Sequence, residues 1–319
     1  MLITRRHAGL AAAALPLLPG VALAQATPTA PQNPGFYRFK LGGFTVTTVY
    51  DGFNRRNVEG LVLNAPLEEV RGVLAQSFLP AVDYRGPYTV TFVDTGRLLI
   101  AFDAGTGGQM AATAGLMTAN MAAAGIDPAR VGLVIVTHCH QDHIHGLTTA
   151  DGRAVFPNAE IAINEAEYAW WTDASNESRS PQGQRVNFAN VARRFAPYQG
   201  RIRRFAAETE VTPGVRAIAA YGHSPGHSVF QVADGDAQLM VLADLTHRPE
   251  LFARRPGYIS TFDFDGAAGG VSRMRVLDRV AADRMRVTGY HFPFPATGYI
   301  AKEGDGFRYV ASDWSSPGI

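Results

Sequence analysis

The most informative run of this sequence is Thr137-His138-Cys139-His140-Gln141-Asp142-His143-Ile144-His145-Gly146. Five of its side chains can bind a metal ion: His138, His140, Asp142, His143 and His145. The four residues before the run, 133–136, are all apolar, and such a continuous stretch predicts a buried strand. The cluster therefore follows a core strand directly, and the carboxyl end of a core strand is where α/β proteins usually place their chemistry.

The spacing within this cluster indicates two metal ions rather than one. His138 and His140 are two residues apart, so an extended loop directs both side chains to the same side. Asp142 and His143 are adjacent, so their side chains diverge and can serve a different ion. Imidazole and carboxylate ligands suit divalent transition metals, and zinc is favoured by its availability.

Three residues in the second half of the chain could complete a dinuclear site. His227 lies in a turn rich in glycine and proline, residues 221–228. Asp244 follows the apolar run 239–243, and His291 follows residues 287–290. A carboxylate that stays buried after a core strand must be paired or bound to metal, so we expect Asp244 to belong to the site.

The composition indicates an ordinary globular protein. The chain has 319 residues, of which 46% are hydrophobic and 18% are charged, and its formal net charge is +1. This balance offers no basic surface for nucleic acid and no acidic tail. Cys139 is the single cysteine, which rules out an intrachain disulfide. We predict one domain over residues 35–319, preceded by a polar linker over residues 25–34.

The N-terminus predicts a signal peptide over residues 1–24. Arg5 and Arg6 precede a small and apolar run, residues 8–23, which is too short and too rich in alanine, glycine and proline for a membrane span. Ala22-Leu23-Ala24 supplies small residues for cleavage. The arginine pair favours twin-arginine export, with a general secretory signal as the alternative. We therefore expect a periplasmic or secreted protein without membrane attachment after cleavage.

The order of predicted elements indicates an α/β (α+β) architecture. Predicted strands occupy the first third of the mature chain, helices lie between, and strands return later, which suggests two sheets with helices outside. The alanine- and methionine-rich stretch Gly108–Ala124 predicts a helix that ends at Gly125.

These motifs resemble the metallo-β-lactamase superfamily, whose His-x-His-x-Asp-His signature falls on residues 138–143. The methyl parathion hydrolase-like group, which includes organophosphate hydrolases and lactonases, is the most similar subgroup. Its members share motifs with residues 34–38, 156–159, 222–227 and 291–295. The resemblance implies a four-layer αβ/βα sandwich with the metals at one edge of the two sheets, and it suggests a homodimer.

The resemblance also implies a ligand set and a reaction. It assigns one metal to His138, His140 and His227. It assigns the second to Asp142, His143 and His291, with Asp244 bridging both. Two divalent ions, expected to be zinc, would share a hydroxide that cleaves a lactone, ester or phosphotriester of a small-molecule substrate. Asp142 and Asp244 would then act through this hydroxide. His145, His223 and His247 are not expected to be ligands.

The substrate pocket is predicted from position within the same group. Its aromatic pocket residues correspond to Trp171 and Phe188, while a third aromatic position is Met110 here. Because methionine is soft and adaptable, this departure favours a lactone or ester over an aryl phosphotriester. The alternative for Trp171 and Phe188 is plain core packing.

Two other classes of function are compatible with the fold. An iron-dependent oxidoreductase is one, but diiron oxygen reductases of this fold tend to carry glutamate where this chain has His140. A non-catalytic periplasmic binding protein is the other, and no motif supports it. A β-lactamase proper is disfavoured because many such enzymes have cysteine, or no bridging ligand, at the position of Asp244.

Overall fold

The structure, a computed structural model, describes residues 33–314. The predicted signal peptide lies outside the described residues, as does most of the predicted linker. Two sheets of seven strands each are formed within the described part of the chain. The strands of the first sheet are β1 Phe36–Leu41, β2 Phe44–Asn57, β3 Asp83–Asp94, β4 Leu99–Phe102, β5 Val131–Val136, β6 Glu160–Asn164 and β7 Ile202–Phe205. The strands of the second are β8 Glu210–Thr212, β9 Val215–Ala219, β10 Ser228–Asp234, β11 Ala237–Val241, β12 Arg286–Thr288, β13 Thr297–Glu303 and β14 Gly306–Ala311.

Each sheet is mixed, and its parallel pairs position the site. The first sheet follows chain order from β1 to β7, with β4, β5, β6 and β7 parallel to one another. The second runs from β14 to β8, and β11 lies parallel to β12. Neighbouring parallel strands end at the same edge of a sheet. The segment after β4 therefore emerges beside the segment after β5. In the same way, the segment after β11 emerges beside the segment after β12.

Helices cover the outer faces of both sheets. Those that do are α2 Met117–Ala123, α4 Glu165–Thr172, α5 Val186–Phe195 and α6 Gly266–Ala282, whereas α1 Leu67–Gln76 packs against residues 249–253 and α3 Gln141–Ile144 is a single turn after β5. One core cluster joins the first sheet to residues of α2, α4 and α5, and another joins the second sheet to α6. The predicted four-layer αβ/βα sandwich is confirmed. No helix of residues 33–314 has the length and apolar character to cross a bilayer.

The two sheets pack face to face through a mainly apolar layer. Phe230 of β10 is fully buried there. Its ring centroid lies 5.4 Å from that of Phe102 on β4 and 5.9 Å from that of Phe205 on β7. Because this layer joins the halves of the chain, it sets how the strand ends of the two sheets face each other.

The predicted helix Gly108–Ala124 begins later than expected. The helix α2 starts only at Met117. Gly108 and Gly115 have φ angles of 70° and 95°, a left-handed backbone that a right-handed helix cannot contain. Met110 therefore lies in a loop, where its side chain is free to face a cavity rather than the helix core.

Removal of the Phe230 ring tests the importance of the layer between the sheets. We expect Phe230→Ala to lower the free energy of unfolding by about 3–5 kcal/mol, because a large buried ring leaves a cavity. Urea unfolding followed by circular dichroism measures the change. Phe78→Ala is the matched control, since that ring is 98% exposed and its loss should cost under about 0.5 kcal/mol. Equal effects of the two substitutions would contradict this packing.

Candidate metal centre

Four buried or half-buried side chains form a first group of potential ligands. They are His138, His140, His223 and Asp244. The Nε2 atom of His223 lies 3.2 Å from Nε2 of His138 and 2.9 Å from Nδ1 of His140. It also lies 3.4 Å from Oδ2 of Asp244. Three imidazole nitrogens and a carboxylate oxygen thus converge on one point.

A second group shares Asp244 with the first. It contains Asp142, His143, Asp244 and His291. The Nε2 atom of His143 is 3.2 Å from Oδ1 of Asp244, and Nε2 of His291 is 3.0 Å from its Oδ2. The Nε2 atom of His291 also lies 3.4 Å from Oδ2 of Asp142. The ligand atoms within each group lie within 4.8 Å of one another, and Asp244 links the two groups.

The structure corrects the sequence-based choice of His227. Both ring nitrogens of His227 face the backbone: Nδ1 lies 3.1 Å from the carbonyl oxygen of Ala220, and Nε2 accepts a hydrogen bond from the amide of Asp244 at 3.2 Å. His227 therefore supports Asp244 from behind, and His223 takes the place predicted for it in the first group. The two histidines are four residues apart in one glycine- and proline-rich turn, so residue type and spacing do not separate them.

Several of these histidines contact a polar group through one ring nitrogen. This contact turns the other ring nitrogen of the same histidine toward the site. The Nδ1 atom of His223 lies 3.0 Å from Oδ1 of Asp263. The Nδ1 atom of His143 lies 2.7 Å from Oδ2 of Asp103, and that of His291 lies 2.8 Å from the carbonyl oxygen of Pro87. Such partners fix the tautomer and orientation of a ligand imidazole. Asp263 is a contact that the sequence analysis missed.

Glu167 ties the two loops of the first group together, and nothing in the sequence analysis identified it. This fully buried carboxylate, on α4, accepts hydrogen bonds from the amide of Cys139 at 2.8 Å and from the amide of Gly226 at 2.7 Å. It also accepts from the Ser224 hydroxyl and from the Trp171 indole. The loop after β5 and the turn before β10 are therefore held at a fixed separation.

The chemistry of the two groups fits divalent cations. The Nε2 atom of His143 and Oδ1 of Asp244 are buried without a hydrogen-bond partner, and such atoms are costly unless a ligand engages them. Burial, followed by the neighbouring His143, holds the pKa of His138 well below its usual range. His138 is therefore neutral near pH 7, as a metal ligand must be. Burial alone would raise the pKa of Asp244, but His291 and His143 lower it well below its usual range.

Comparison with known proteins agrees with this geometry. The family model described as the metallo-β-lactamase superfamily matches residues 83–291. The chain belongs to the metallo-β-lactamase superfamily. The predicted resemblance is thereby confirmed, and the four-layer sandwich is the fold of that superfamily. None of the curated proteins matches this sequence significantly.

Solved structures with the same metallo-β-lactamase fold include two that align with nearly the whole described chain. A hydrolase of the β-lactamase superfamily, AbOPH, has a TM-score of 0.84 at 22% identity, covering 90% of this chain and 100% of its own. AidC, a dizinc quorum-quenching lactonase solved with the product N-hexanoyl-L-homoserine, has a TM-score of 0.83 at 23% identity, covering 88% and 99%. A probable metal-dependent hydrolase from Staphylococcus aureus has a TM-score of 0.72 at 17% identity, covering 87% and 100%. At these identities the likeness concerns the fold.

A cavity of about 350 Å³ opens onto both groups of the metallo-β-lactamase site. His140, Asp142, Asp244 and His291 lie along it, and Met110 lines its wall. Its other aromatic and charged lining residues are Tyr84, Tyr88, Phe262, Arg56, Arg248 and His247. These six come from β2, β3 and the segment after β11, far apart in sequence, and no local motif marked them.

Trp171 and Phe188, predicted to line the pocket, lie in the core instead. Trp171 is 1% exposed, its ring centroid lies 5.0 Å from that of Phe188, and its indole nitrogen donates to Glu167 at 2.7 Å. Core packing, the alternative considered for both residues, is what the structure shows. Trp171 reaches the site through Glu167 and through the Ser224 hydroxyl, which lies 3.4 Å from its indole nitrogen.

The two remaining histidines near the site differ in position. His145 is in none of the three groups of potential ligands, whereas His247 forms the third with His223 and Asp263. His247 lines the cavity, with Nδ1 at 3.4 Å from Oδ2 of Asp244 and Nε2 buried without a partner. Burial lowers the pKa of His247 to about 4, so its ring is neutral near pH 7.

Metal content distinguishes the roles of His223 and His227. We expect His223→Ala to retain about one of two bound ions after dialysis, because the first group loses a nitrogen ligand. The comparison variant is His227→Gln, whose side chain can still contact the backbone and which should lose less metal. Elemental analysis of the purified proteins measures the stoichiometry. Greater loss in His227→Gln than in His223→Ala would restore the original assignment.

Proposed function

We propose that this protein is a dinuclear metallohydrolase that cleaves lactones or carboxylic esters and acts more slowly on phosphotriesters. One observation carries the proposal: two groups of histidine and aspartate ligands share Asp244 on the wall of a cavity large enough for a small molecule. Zinc is the metal that we expect, because imidazole and carboxylate are among its usual ligands.

The residues of the two groups would hold one divalent ion each. His138, His140 and His223 would bind the first ion, Asp142, His143 and His291 the second, and Asp244 both. Bound metals of this kind polarise a carbonyl or phosphoryl oxygen and lower the pKa of water at neutral pH. No side chain of the protein is then needed as the nucleophile.

Tyr88 is placed to donate a hydrogen bond to the substrate. Its hydroxyl is buried without a hydrogen bond of good geometry, close to the side chains of Asn54 and Arg56, and its ring lies 5.5 Å from that of His291 on the cavity wall. Burial, and then the charge of Asp142, raise the pKa of Tyr88 far above neutrality. The phenol therefore keeps its proton and can stabilise a carbonyl oxygen that gains negative charge.

Two segments that contact each other form part of the cavity wall. Pro181, Gly183 and Gln184 belong to the first, and Thr261 and Phe262 belong to the second. The Gln184 side-chain amide donates to the carbonyl oxygen of Phe262 at 2.8 Å. This contact holds the two segments together.

The wall of the cavity favours an ester or lactone over an aryl phosphotriester. Met110 lines it at the position expected to be aromatic, next to a wall that also carries the rings of Tyr84, Tyr88 and Phe262. A thioether adapts to a flexible acyl chain. The oxygen and nitrogen groups of Tyr88 and Asn187 provide polar contacts that suit a planar acyl group.

A substrate panel tests the proposed function directly. We expect the zinc-loaded protein to hydrolyse acyl lactones or aryl esters with a kcat/KM at least about tenfold above that for aryl phosphotriesters, a modest discrimination for one pocket. Metal-stripped protein is the control, and activity should return on addition of zinc. A protein with two bound metals and no turnover of any of the three classes would contradict the proposal, and a preference for phosphotriesters would reverse it.

Replacement of Tyr88 tests its role as a donor. We expect Tyr88→Phe to lower kcat for the best ester or lactone by about 10- to 100-fold, because one donor to the developing charge is lost. Metal content and thermal stability should stay near those of the original protein. Steady-state kinetics separate the effect on kcat from that on KM. An unchanged kcat would remove Tyr88 from the mechanism.

A further inference from the structure

The cavity contains an arginine whose charge has no partner in the described part of the chain. Arg56 is half-buried near the end of β2, and its guanidinium carbon lies 4.4 Å from the centroid of the Phe262 ring. The adjacent Arg55 pairs with Asp83 at 3.2 Å. By contrast, no carboxylate of residues 33–314 lies within the 4.0 Å limit of an ion pair with Arg56. Stacking fixes the guanidinium plane, while its edge remains able to donate hydrogen bonds.

A second arginine in the same cavity has a spare donor. Arg248 is buried, and its Nη2 atom donates to Glu250 at 3.0 Å while Nη1 lies 3.4 Å from the carbonyl oxygen of Arg85. Its Nε atom is buried without a partner. Arg248 is therefore neutralised by Glu250 but retains an unused N–H group beside the cavity.

The charges along the cavity favour the binding of an anionic ligand. The only carboxylates among its lining residues in the described chain are Asp142 and Asp244, and both belong to the candidate metal groups. Two divalent ions held there would carry more positive charge than these two carboxylates balance. Arg56 adds a further positive charge that no lining residue compensates. A neutral substrate would leave this charge unpaired in a partly desolvated site, which is unfavourable.

We propose that the natural substrate carries a carboxylate, separate from the bond that is cleaved, and that Arg56 binds it with a contribution from Arg248. This inference rests on the proposed function and narrows its substrate class to half-esters of dicarboxylic acids or to lactones with a free carboxylate. A planar carboxylate matches the fork of a guanidinium group in a bidentate contact. The reaction is ordinary hydrolysis: water adds its oxygen to the acyl carbon, the ester C–O bond breaks, and the alcohol leaves with a proton.

A matched pair of esters tests the inference. The anionic substrate is 4-nitrophenyl hydrogen adipate, and the neutral one is its methyl ester, 4-nitrophenyl methyl adipate. We expect the ratio of kcat/KM for the anionic over the neutral ester to fall about tenfold or more in Arg56→Met, because a charge-assisted hydrogen bond is lost. Arg56→Lys should keep part of the preference. Arg55→Met, which removes the neighbouring exposed charge, should keep the original ratio.

Equilibrium binding supplies a readout that does not depend on turnover. Calorimetry compares the monoamide of adipic acid, which has one carboxylate, with neutral adipamide. The zinc-loaded protein should bind the monoamide more tightly, and Arg56→Met should lose most of that difference. Thermal unfolding of each variant verifies that it is folded.

The outcomes separate the two proposals. Hydrolysis of both esters with the same ratio in Arg56→Met as in the original protein would overturn the role of Arg56. If Arg55→Met lowered the preference for the anionic ester as much as Arg56→Met does, the effect would come from the general positive charge of the surface and not from a contact with Arg56. Turnover of neither ester would count against the proposed function, and the binding comparison would then decide the inference alone. Carboxylate binding unaffected by Arg56→Met would reject it.

Discussion

The buried carboxylate of Asp244 is the constraint on which the rest of the site depends. It is 2% exposed, and a charge so removed from water is strongly destabilising unless it is paired. His143, His291 and His223 place nitrogens at 3.2, 3.0 and 3.4 Å from its oxygens. Those histidines come from both halves of the chain. The two sheets must therefore pack in one arrangement for the carboxylate to be compensated, which links the apolar layer between the sheets to the chemistry at their edge.

Three more buried carboxylates hold the two ligand groups around Asp244 in place, although they are not members of those groups. Asp103, at the end of β4, accepts from the Thr137 amide and hydroxyl and contacts His143. Asp263 lies behind His223 and in ion-pair range of Arg273, at 3.5 Å. Glu167 joins the two loops that carry the first group. Each is held by hydrogen bonds that offset part of the desolvation cost. Rigid support of this kind keeps a cluster of imidazoles aimed at points that suit a cation.

Local patterns in the sequence predicted those features that are determined by residues close together in the chain. The apolar run 133–136 predicted β5, and the histidine and aspartate spacing after it predicted two ligand groups, because both are set by backbone geometry over a few residues. The choice between His223 and His227 depends on which ring faces Asp263 and which faces the backbone, a tertiary contact. Two residues of the cavity wall, Arg56 and Tyr88, were missed for the same reason: they meet the later segments of the chain only after the sheets have packed. Met110 was placed on a helix because alanine and methionine favour one, whereas two glycines nearby prevent it.

The most direct test of this account is a crystal structure of the zinc-loaded protein with anomalous scattering data at the zinc edge. We expect two peaks, one bound by His138, His140 and His223 and the other by Asp142, His143 and His291. Asp244 should contribute an oxygen to each. One peak only would contradict the dinuclear site, and coordination by His227 with His223 turned away would contradict the arrangement of the ligands.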